Sequence, residues 1–196
     1  MGEDVEQTKR RLRQRLLAVR RDLSADAAAR LATAVCAQVA GWDAFATAQH
    51  VVAYAAVDNE VDPHEVVDTA LEAGKAVYFP RVARGDLEFL RAEPTRLKPG
   101  HHGIPEPSDG VPLVPGTPAV LFLVPGVAFD TCGVRLGRGG GCYDRALARH
   151  AQALRVGLAY EMQVVQSLPE TALDVRMHAV ATEARLVETG AQEKSA

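Results

Sequence analysis

Four short apolar runs, separated by segments with helical features, are what most constrains the fold of this 196-residue chain. The runs lie at His50–Ala56, Ala76–Phe79, Ala119–Val124 and Arg155–Ala159. Their length and composition predict buried strands. Strands that alternate with helices favour an α/β sandwich with a mostly parallel sheet. Ligands of such sheets bind beyond the carboxyl ends of the strands.

The segments between these runs carry helix signals. Ser24 is a good N-cap, and Asp62-Pro63 supplies an N-cap followed by a proline at the first helical position. We expect an apolar stripe of Leu12, Leu16, Val19 and Leu23 on the first helix. Helices are predicted at Val5–Leu23, Ser24–Ala40, Asp62–Gly74, Tyr143–His150 and Met162–Ser167. Further strands are predicted at Leu87–Arg91 and Ala179–Thr182, with a long loop over residues 92–118.

Composition indicates an ordinary folded domain. Hydrophobic residues make up 47% of the chain and charged residues 24%, so we expect a single domain over residues 1–189 and a polar tail over 190–196. The three cysteines lack the spacing of a disulfide framework or a zinc site. No apolar run approaches the roughly 18 residues of a membrane span, and acidic residues near the start argue against a transit peptide. We therefore expect a cytoplasmic protein. We also expect it to be a monomer.

A glycine-rich stretch, Arg135–Asp144 (RLGRGGGCYD), precedes the predicted helix at Tyr143. It is not a Walker A loop, because no Lys-Ser or Lys-Thr follows the glycines, and Cys142 breaks the G-x-G-x-x-G pattern. Glycines nevertheless let backbone N–H groups converge on an anion, and a helix N-terminus adds partial positive charge. Arg135 and Arg138 can add charge-assisted hydrogen bonds.

These features favour a phosphate-binding loop, with Asp144 positioned to hold Mg²⁺ beside the phosphates. The alternative is a flexible turn whose aspartate stabilises the helix dipole. The basic first helix is also ambiguous. Its Lys9 and Arg13 share a face, which fits a solvated surface, a nucleic-acid patch or a contribution to a phosphate site. The net charge of −3 and the lack of clustered aromatic residues weigh against nucleic acid.

Taken together, these stretches resemble the 5-formyltetrahydrofolate cyclo-ligases, also called methenyltetrahydrofolate synthetases. The glycine stretch follows Val124–Asp130 (VPGVAFD), which matches the first half of the family signature. Shorter matches keep the family order: KRRLR at Lys9–Arg13, NEVD at Asn59–Asp62, FPR at Phe79–Arg81, GIPEP at Gly103–Pro107 and LDV at Leu173–Val175. The resemblance covers about Lys9 to Glu183.

The resemblance implies a three-layer α/β/α fold and an ATP- and Mg²⁺-dependent enzyme. The family converts 5-formyltetrahydrofolate to 5,10-methenyltetrahydrofolate and releases ADP and phosphate. ATP phosphorylates the formyl oxygen, and folate N10 then closes the ring. The expected partners are therefore ATP and a reduced folate, with no nucleic acid and no membrane.

Site residues follow from the resemblance one by one. The residues implied to bind ATP are Lys9, Arg13, Arg135, Gly137, Arg138, Gly139, Gly140, Gly141, Cys142 and Tyr143. The residues implied to bind the folate are Ala55, Glu60, Gly139, Gly140, Gly141 and Tyr143. Arg138 and Tyr143 are expected at the reacting centre, and Asp144 and Asp174 are implied metal ligands.

Three departures from the family pattern leave a second hypothesis open. Cys142 stands where an aromatic residue is usual, His178 stands where an acidic residue is common, and Leu87–Ala92 lacks a tryptophan. A paralogue that binds a nucleotide or sugar phosphate without cyclising folate would share the other motifs. A nucleic-acid-binding module built on the arginine helix is a third hypothesis, and it predicts steeply salt-dependent binding.

Overall fold

The computed structural model describes residues 5–190. Within this range the helices are α1 (Val5–Arg21), α2 (Ala25–Ala40), α3 (Asp43–Thr47), α4 (His64–Glu72) and α5 (Cys142–Arg149). The strands are β1 (His50–Val52), β2 (Ala76–Ala83), β3 (Asp86–Arg91), β4 (Lys98–Pro99), β5 (Pro105–Glu106), β6 (Val120–Pro125), β7 (Ala128–Asp130), β8 (Arg135–Leu136), β9 (Leu154–Leu158), β10 (Val164–Val165), β11 (Ala179–Ala181) and β12 (Leu186–Glu188). Residues 191–196 of the predicted tail lie outside the described range.

Seven strands form the central sheet, in the order β12-β11-β9-β6-β1-β2-β3. The five inner strands pair in parallel, and the edge strands β3 and β12 pair antiparallel to their neighbours. This arrangement confirms the predicted mostly parallel sheet. It also brings the carboxyl ends of β1 and β6, which are direct neighbours, to the same edge.

Helices cover both faces of this sheet. Leu121 and Leu123 of β6 join the core beneath α2 and α4, whereas Phe122 and Val124 join the core beneath α5. All four side chains are almost fully buried. A strand covered on both faces needs no polar positions, which explains the uninterrupted apolar run. The structure is therefore the three-layer α/β/α sandwich that the resemblance implied.

A second, small sheet extends this frame and was not predicted. It has the order β10-β7-β8. In the sequence β7 lies between β6 and the glycine stretch, β8 is the start of that stretch, and β10 follows β9. Leu16 of α1 packs on it against Val127 and Leu136. The small sheet thereby fixes the position of α1 beside the glycine stretch.

The prediction of a helix at Met162–Ser167 is wrong. A 3₁₀ turn at Glu161–Gln163 is followed directly by β10, which pairs in parallel with β7. The side chain of Gln163 is buried and donates to the carbonyl oxygens of Gly126 and Val127 at 3.1 and 3.0 Å. These long-range bonds hold the residues after Gln163 in an extended conformation, which the local sequence does not predict.

Three other features differ from prediction. The first strand ends at Val52, and residues 53–60 leave the sheet as a loop. The predicted loop over residues 92–118 contains the two-residue strands β4 and β5, which pair antiparallel. Val19 is 42% exposed, so the apolar stripe of α1 is only partly buried.

His178 forms an unusual contact at the start of β11 and generates a prediction about stability. Its Nδ1 accepts from the backbone N–H of Arg155 at 3.1 Å, and its Nε2 lies 3.2 Å from the Arg155 guanidinium. Burial, together with the charge of Arg155, lowers the pKa of His178 to about 4. The folded protein therefore holds this ring neutral, while the unfolded chain protonates it near pH 6.5.

We expect this histidine to stabilise the fold above pH 6.5 and to lose that contribution as the pH falls from about 6.5 to about 4. Urea unfolding at several pH values would measure the effect. His178→Asn retains an acceptor for the Arg155 amide, so its stability should fall less steeply over this range. Equal pH slopes in the two proteins would contradict the prediction.

Candidate active site

Three loops meet beside α1 at the carboxyl edge of the central sheet. They follow β1, β6 and β8 in the sequence, and the buried guanidinium of Arg20 joins the first two. Arg20 Nε donates to the carbonyl oxygen of Asp58 at 3.0 Å, and its Nη1 donates to that of Gly126 at 3.1 Å. Only 1% of Arg20 is exposed. Sequence analysis did not single out this residue.

The loop after β1 presents Glu60. Asp58 and Asn59 both adopt left-handed backbone conformations, with φ of 59° and 56°, and such residues often occur at functional turns. The Asn59 side chain secures the turn by donating to the carbonyl oxygens of Arg20 and Leu23 at 3.3 and 2.9 Å. Glu60 Oε2 accepts from the backbone N–H of Val57 at 3.3 Å. This arrangement directs Glu60 Oε1 towards the arginines of the site.

Two arginines lie close to that oxygen. Arg138 Nη2 lies 3.1 Å from Glu60 Oε1, and Arg20 Nη2 lies 3.8 Å from it. The Glu60 side chain is only 9% exposed, whereas that of Arg138 is 48% exposed. Glu60 and Arg138, predicted on separate motifs 78 residues apart, are thus in direct contact.

Arg135 lies buried beneath the glycine stretch. Its Nη2 donates to Asp144 Oδ2 at 2.8 Å, and its Nη1 donates to the carbonyl oxygen of Pro125 at 3.3 Å. Its guanidinium also lies 5.4 Å from the ring centroid of Tyr143, within cation–π range. Burial and the charge of Glu60 raise the pKa of Tyr143. Tyr143 therefore remains a neutral phenol at physiological pH.

The loop over residues 137–141 contacts α1 and begins α5. Arg13 Nε donates to the carbonyl oxygen of Gly137 at 2.9 Å. Gly139 has a φ of 109°, and Gly141, the N-cap of α5, has a φ of 63°. Arg145 Nη1 donates to the carbonyl oxygen of Gly140 at 2.9 Å. Gly139 and Gly141 therefore occupy conformations that side-chain-bearing residues rarely adopt.

Cys142 begins α5 next to this loop and is a free thiol. Its Sγ lies 3.7 Å from the carbonyl oxygen of Gly140 and 3.6 Å from Arg145 Nη2. The side chain packs at the edge of the core beneath α5. Ala55 is half-buried in the loop after β1, which is the same loop that presents Glu60.

Lys9 and Asp174 form a further ion pair at the site. Their Nζ and Oδ2 atoms lie 2.8 Å apart, and Lys9 is only 5% exposed. Burial alone would raise the pKa of Asp174, but hydrogen bonds from Lys9 and Thr171 outweigh it and lower that pKa. The neighbouring Val175 N–H donates to Asp144 Oδ1 at 3.3 Å. The two predicted metal ligands thus lie on adjoining segments.

These carboxylates can contribute to a magnesium site but do not form one alone. Within residues 5–190, no group of three or more His, Cys, Asp or Glu side chains could hold a metal ion. Magnesium at nucleotide sites commonly takes one or two carboxylate oxygens together with substrate phosphates and water. Among the described residues, Asp144 Oδ1 accepts a single long hydrogen bond, from Val175 N–H at 3.3 Å, so this oxygen fits such a role.

One face of α1 explains why Arg20 belongs to the site. Lys9, Arg13 and Arg20 follow helical spacing with Leu16 on the same side of the helix. Lys9, Leu16 and Arg20 are all buried. This spacing can be read from the sequence. The burial of the basic face could not be predicted, because the sequence does not show which groups it contacts.

A model of the 5-formyltetrahydrofolate cyclo-ligase family matches residues 5–183. The chain belongs to this family. The match extends from α1 through the glycine stretch to β11, so it includes every predicted site residue. The family that the motifs indicated is thus confirmed.

Individual relatives support the assignment. The 5-formyltetrahydrofolate cyclo-ligase of Escherichia coli K12 is 34% identical over 148 residues, covering 72% of this chain and 81% of its own. The enzyme of the same name from Mycolicibacterium smegmatis is 34% identical over 146 residues, which cover 69% of this chain and 74% of the relative. The solution structure of Aquifex aeolicus 5,10-methenyltetrahydrofolate synthetase superposes with a TM-score of 0.82 at 32% identity, covering 96% of both chains. A synthetase from Mycoplasma pneumoniae shares the fold at 23% identity, with a TM-score of 0.72 over 89% of this chain and 98% of its own.

The backbone of the glycine stretch generates a prediction that needs no ligand. Gly139→Ala forces a Cβ into a positive-φ conformation and should lower the free energy of unfolding by about 1–3 kcal/mol. Gly140 is the matched control, because its φ lies outside the strained range and an added Cβ would meet only the Cys142 Sγ at 3.4 Å. Urea unfolding of both variants should show the larger loss for Gly139→Ala. The reverse order would contradict the prediction.

Proposed function

We propose that this protein converts 5-formyltetrahydrofolate to 5,10-methenyltetrahydrofolate, consuming ATP and releasing ADP and phosphate. One observation carries the proposal: a single glycine loop lies between a group of cations and a carboxylate. Arg13 contacts the loop at Gly137, and Arg138, within the loop, reaches Glu60. The same loop can therefore contact phosphate on one side and a folate on the other.

The reaction needs an activated formyl oxygen. An amide oxygen is a poor leaving group, so the formyl oxygen first attacks the γ-phosphorus and ADP departs. Folate N10 then attacks the formyl carbon and loses its proton. Breakage of the carbon–oxygen bond releases phosphate and leaves the closed methenyl ring. Catalysis rests on positioning and on neutralising phosphate charge, so no protein nucleophile is required.

The phosphate side is proposed to use the cations around the loop. Backbone N–H groups at Gly139–Gly141 and the start of α5 suit an anion. Arg138 and Tyr143 lie beside Glu60 and are proposed to face the transferred phosphoryl group and the formyl group. The proposed ATP contacts are those implied by the resemblance: Lys9, Arg13, Arg135, Gly137, Arg138, Gly139, Gly140, Gly141, Cys142 and Tyr143.

The folate side is proposed to use the loop after β1. The pterin ring carries N–H donors, and Glu60 offers a nearly buried carboxylate to accept them. Charge-assisted hydrogen bonds of this kind are roughly twice as strong as neutral ones. Ala55 would border the ring from the same loop, and Gly139–Gly141 would border the formyl group.

Magnesium is proposed to be held by Asp144, with Asp174 nearby, once ATP supplies phosphate oxygens. When bound, it would neutralise phosphate charge. Lys9 and Arg135 pair with these two carboxylates in the free protein. The same cations would remain beside the phosphates and add to that neutralisation. The monomeric state and the cytoplasmic location stay predictions.

The activity is tested by mixing the protein with ATP, Mg²⁺ and 5-formyltetrahydrofolate. We expect the near-ultraviolet absorbance of the methenyl product to rise, with one ADP formed per product. Omission of ATP or of the divalent ion is the control, and each should abolish the signal. Nucleotide binding without product under any divalent metal would refute the proposal and favour the paralogue hypothesis.

A substitution at Asp144 tests the metal role. Asp144→Asn keeps the side-chain shape, removes a charged metal ligand and should lower kcat/KM for Mg·ATP by at least about ten-fold. The Mg²⁺ concentration needed for half-maximal rate should rise. Stability should also fall, because the buried Arg135 loses its carboxylate partner, so both proteins are compared where they are folded. The exposed Asp68→Asn is the matched control, and an unchanged magnesium dependence would contradict the role.

A further inference from the structure

In the free protein, Arg138 is bound to the carboxylate of Glu60, which the proposed function assigns to folate binding. Its Nε and Nη2 atoms both donate to Glu60 Oε1, at 3.3 and 3.1 Å. Asp58 adds a second carboxylate, 3.5 Å from Arg138 Nη2. The arginine therefore spans from the glycine loop to the loop after β1, and it covers the one Glu60 oxygen that faces the site.

This contact conflicts with both binding events. A pterin that hydrogen-bonds to Glu60 Oε1 must replace Arg138 there. Arg138 Nε and Nη2 are the two donors bonded to Glu60, so a phosphate that takes this pair of donors draws the guanidinium away from Glu60. We propose that Arg138 couples the two sites: nucleotide phosphate withdraws it from Glu60, and Glu60 then becomes available to the folate. The inference rests on the proposed function, because it assumes that the two sites share this loop.

The surroundings suit such an exchange. The Arg138 side chain is 48% exposed, so it can change partner without repacking the core. Gly137 and Gly139 flank it in the chain. Arg20 remains fixed 3.8 Å from Glu60 by its bonds to Asp58 and Gly126.

Arg20 also explains why Glu60 tolerates the loss of one partner. Its buried Nη2 has no hydrogen-bond partner among residues 5–190, yet it lies within ion-pair distance of both Glu60 and Asp58. When Arg138 withdraws, the positive charge of Arg20 still balances Glu60. Glu60 is therefore not left as an unpaired buried carboxylate, which would be costly.

The first experiment measures nucleotide affinity with no folate present. The probe is the non-hydrolysable β,γ-imido analogue of ATP with Mg²⁺. Glu60→Gln weakens the hold on Arg138 and should tighten analogue binding several-fold relative to wild type. Glu88→Gln is the matched control, since it removes the same charge from a carboxylate that pairs with another arginine, Arg81, at 3.0 Å.

A double-mutant cycle separates the exchange from a general change in charge. In the Arg138→Ala background, Glu60→Gln should no longer tighten analogue binding. Tightening that persists without Arg138, or that Glu88→Gln reproduces, would overturn the inference. Because this experiment contains no folate, a failure of methenyl production bears on the proposed activity and not on this result.

The second experiment measures 5-formyltetrahydrofolate affinity with and without the analogue. In wild type we expect the analogue to tighten folate binding by about ten-fold, within the usual range of coupling between sites. In Arg138→Ala the folate should bind tightly without the analogue, and the coupling should vanish. Equal coupling in the two proteins would overturn the inference.

Discussion

The buried guanidinium of Arg20 is the interaction on which the site depends. It joins the end of α1 to the loops after β1 and β6 by donating to one carbonyl oxygen in each. Burial lowers its pKa, and nearby Glu60 and Asp58 oppose that shift. Removing one partner from such a buried charged group typically costs about 3–5 kcal/mol. This arginine therefore ties the two loops to each other and to α1.

The features that sequence predicted well are those with local causes. The parallel sheet followed from the composition of the strands and from N-cap signals such as Ser24, whose hydroxyl accepts from the Ala27 N–H. The run of glycines predicted a loop at the start of a helix. The structure shows why glycine is needed there, because Gly139 and Gly141 have positive φ. Motif order then supplied the family.

The features that sequence missed depend on distant partners. Hydrophobicity favoured Val19 for the buried stripe of α1, yet Val19 is 42% exposed and Arg20 is 1% exposed. Arg20 turns inward because carbonyl oxygens 38 and 106 residues away need a donor. The extended course after Gln163 has the same origin. The spacing of residues along the chain does not reveal hydrogen bonds to distant segments. The contact between Glu60 and Arg138 could not be predicted from sequence for the same reason.

The charges predicted to bind ligands are largely neutralised by one another in the free protein. Lys9 pairs with Asp174, Arg135 with Asp144, and Arg138 with Glu60. Ligand binding at such a site exchanges partners, because each phosphate or pterin group must replace a contact that already exists. The free energy gained is therefore the difference between two sets of charge-assisted bonds. A site of this kind keeps its buried charges balanced when empty, and it favours ligands that satisfy both partners of a pair together.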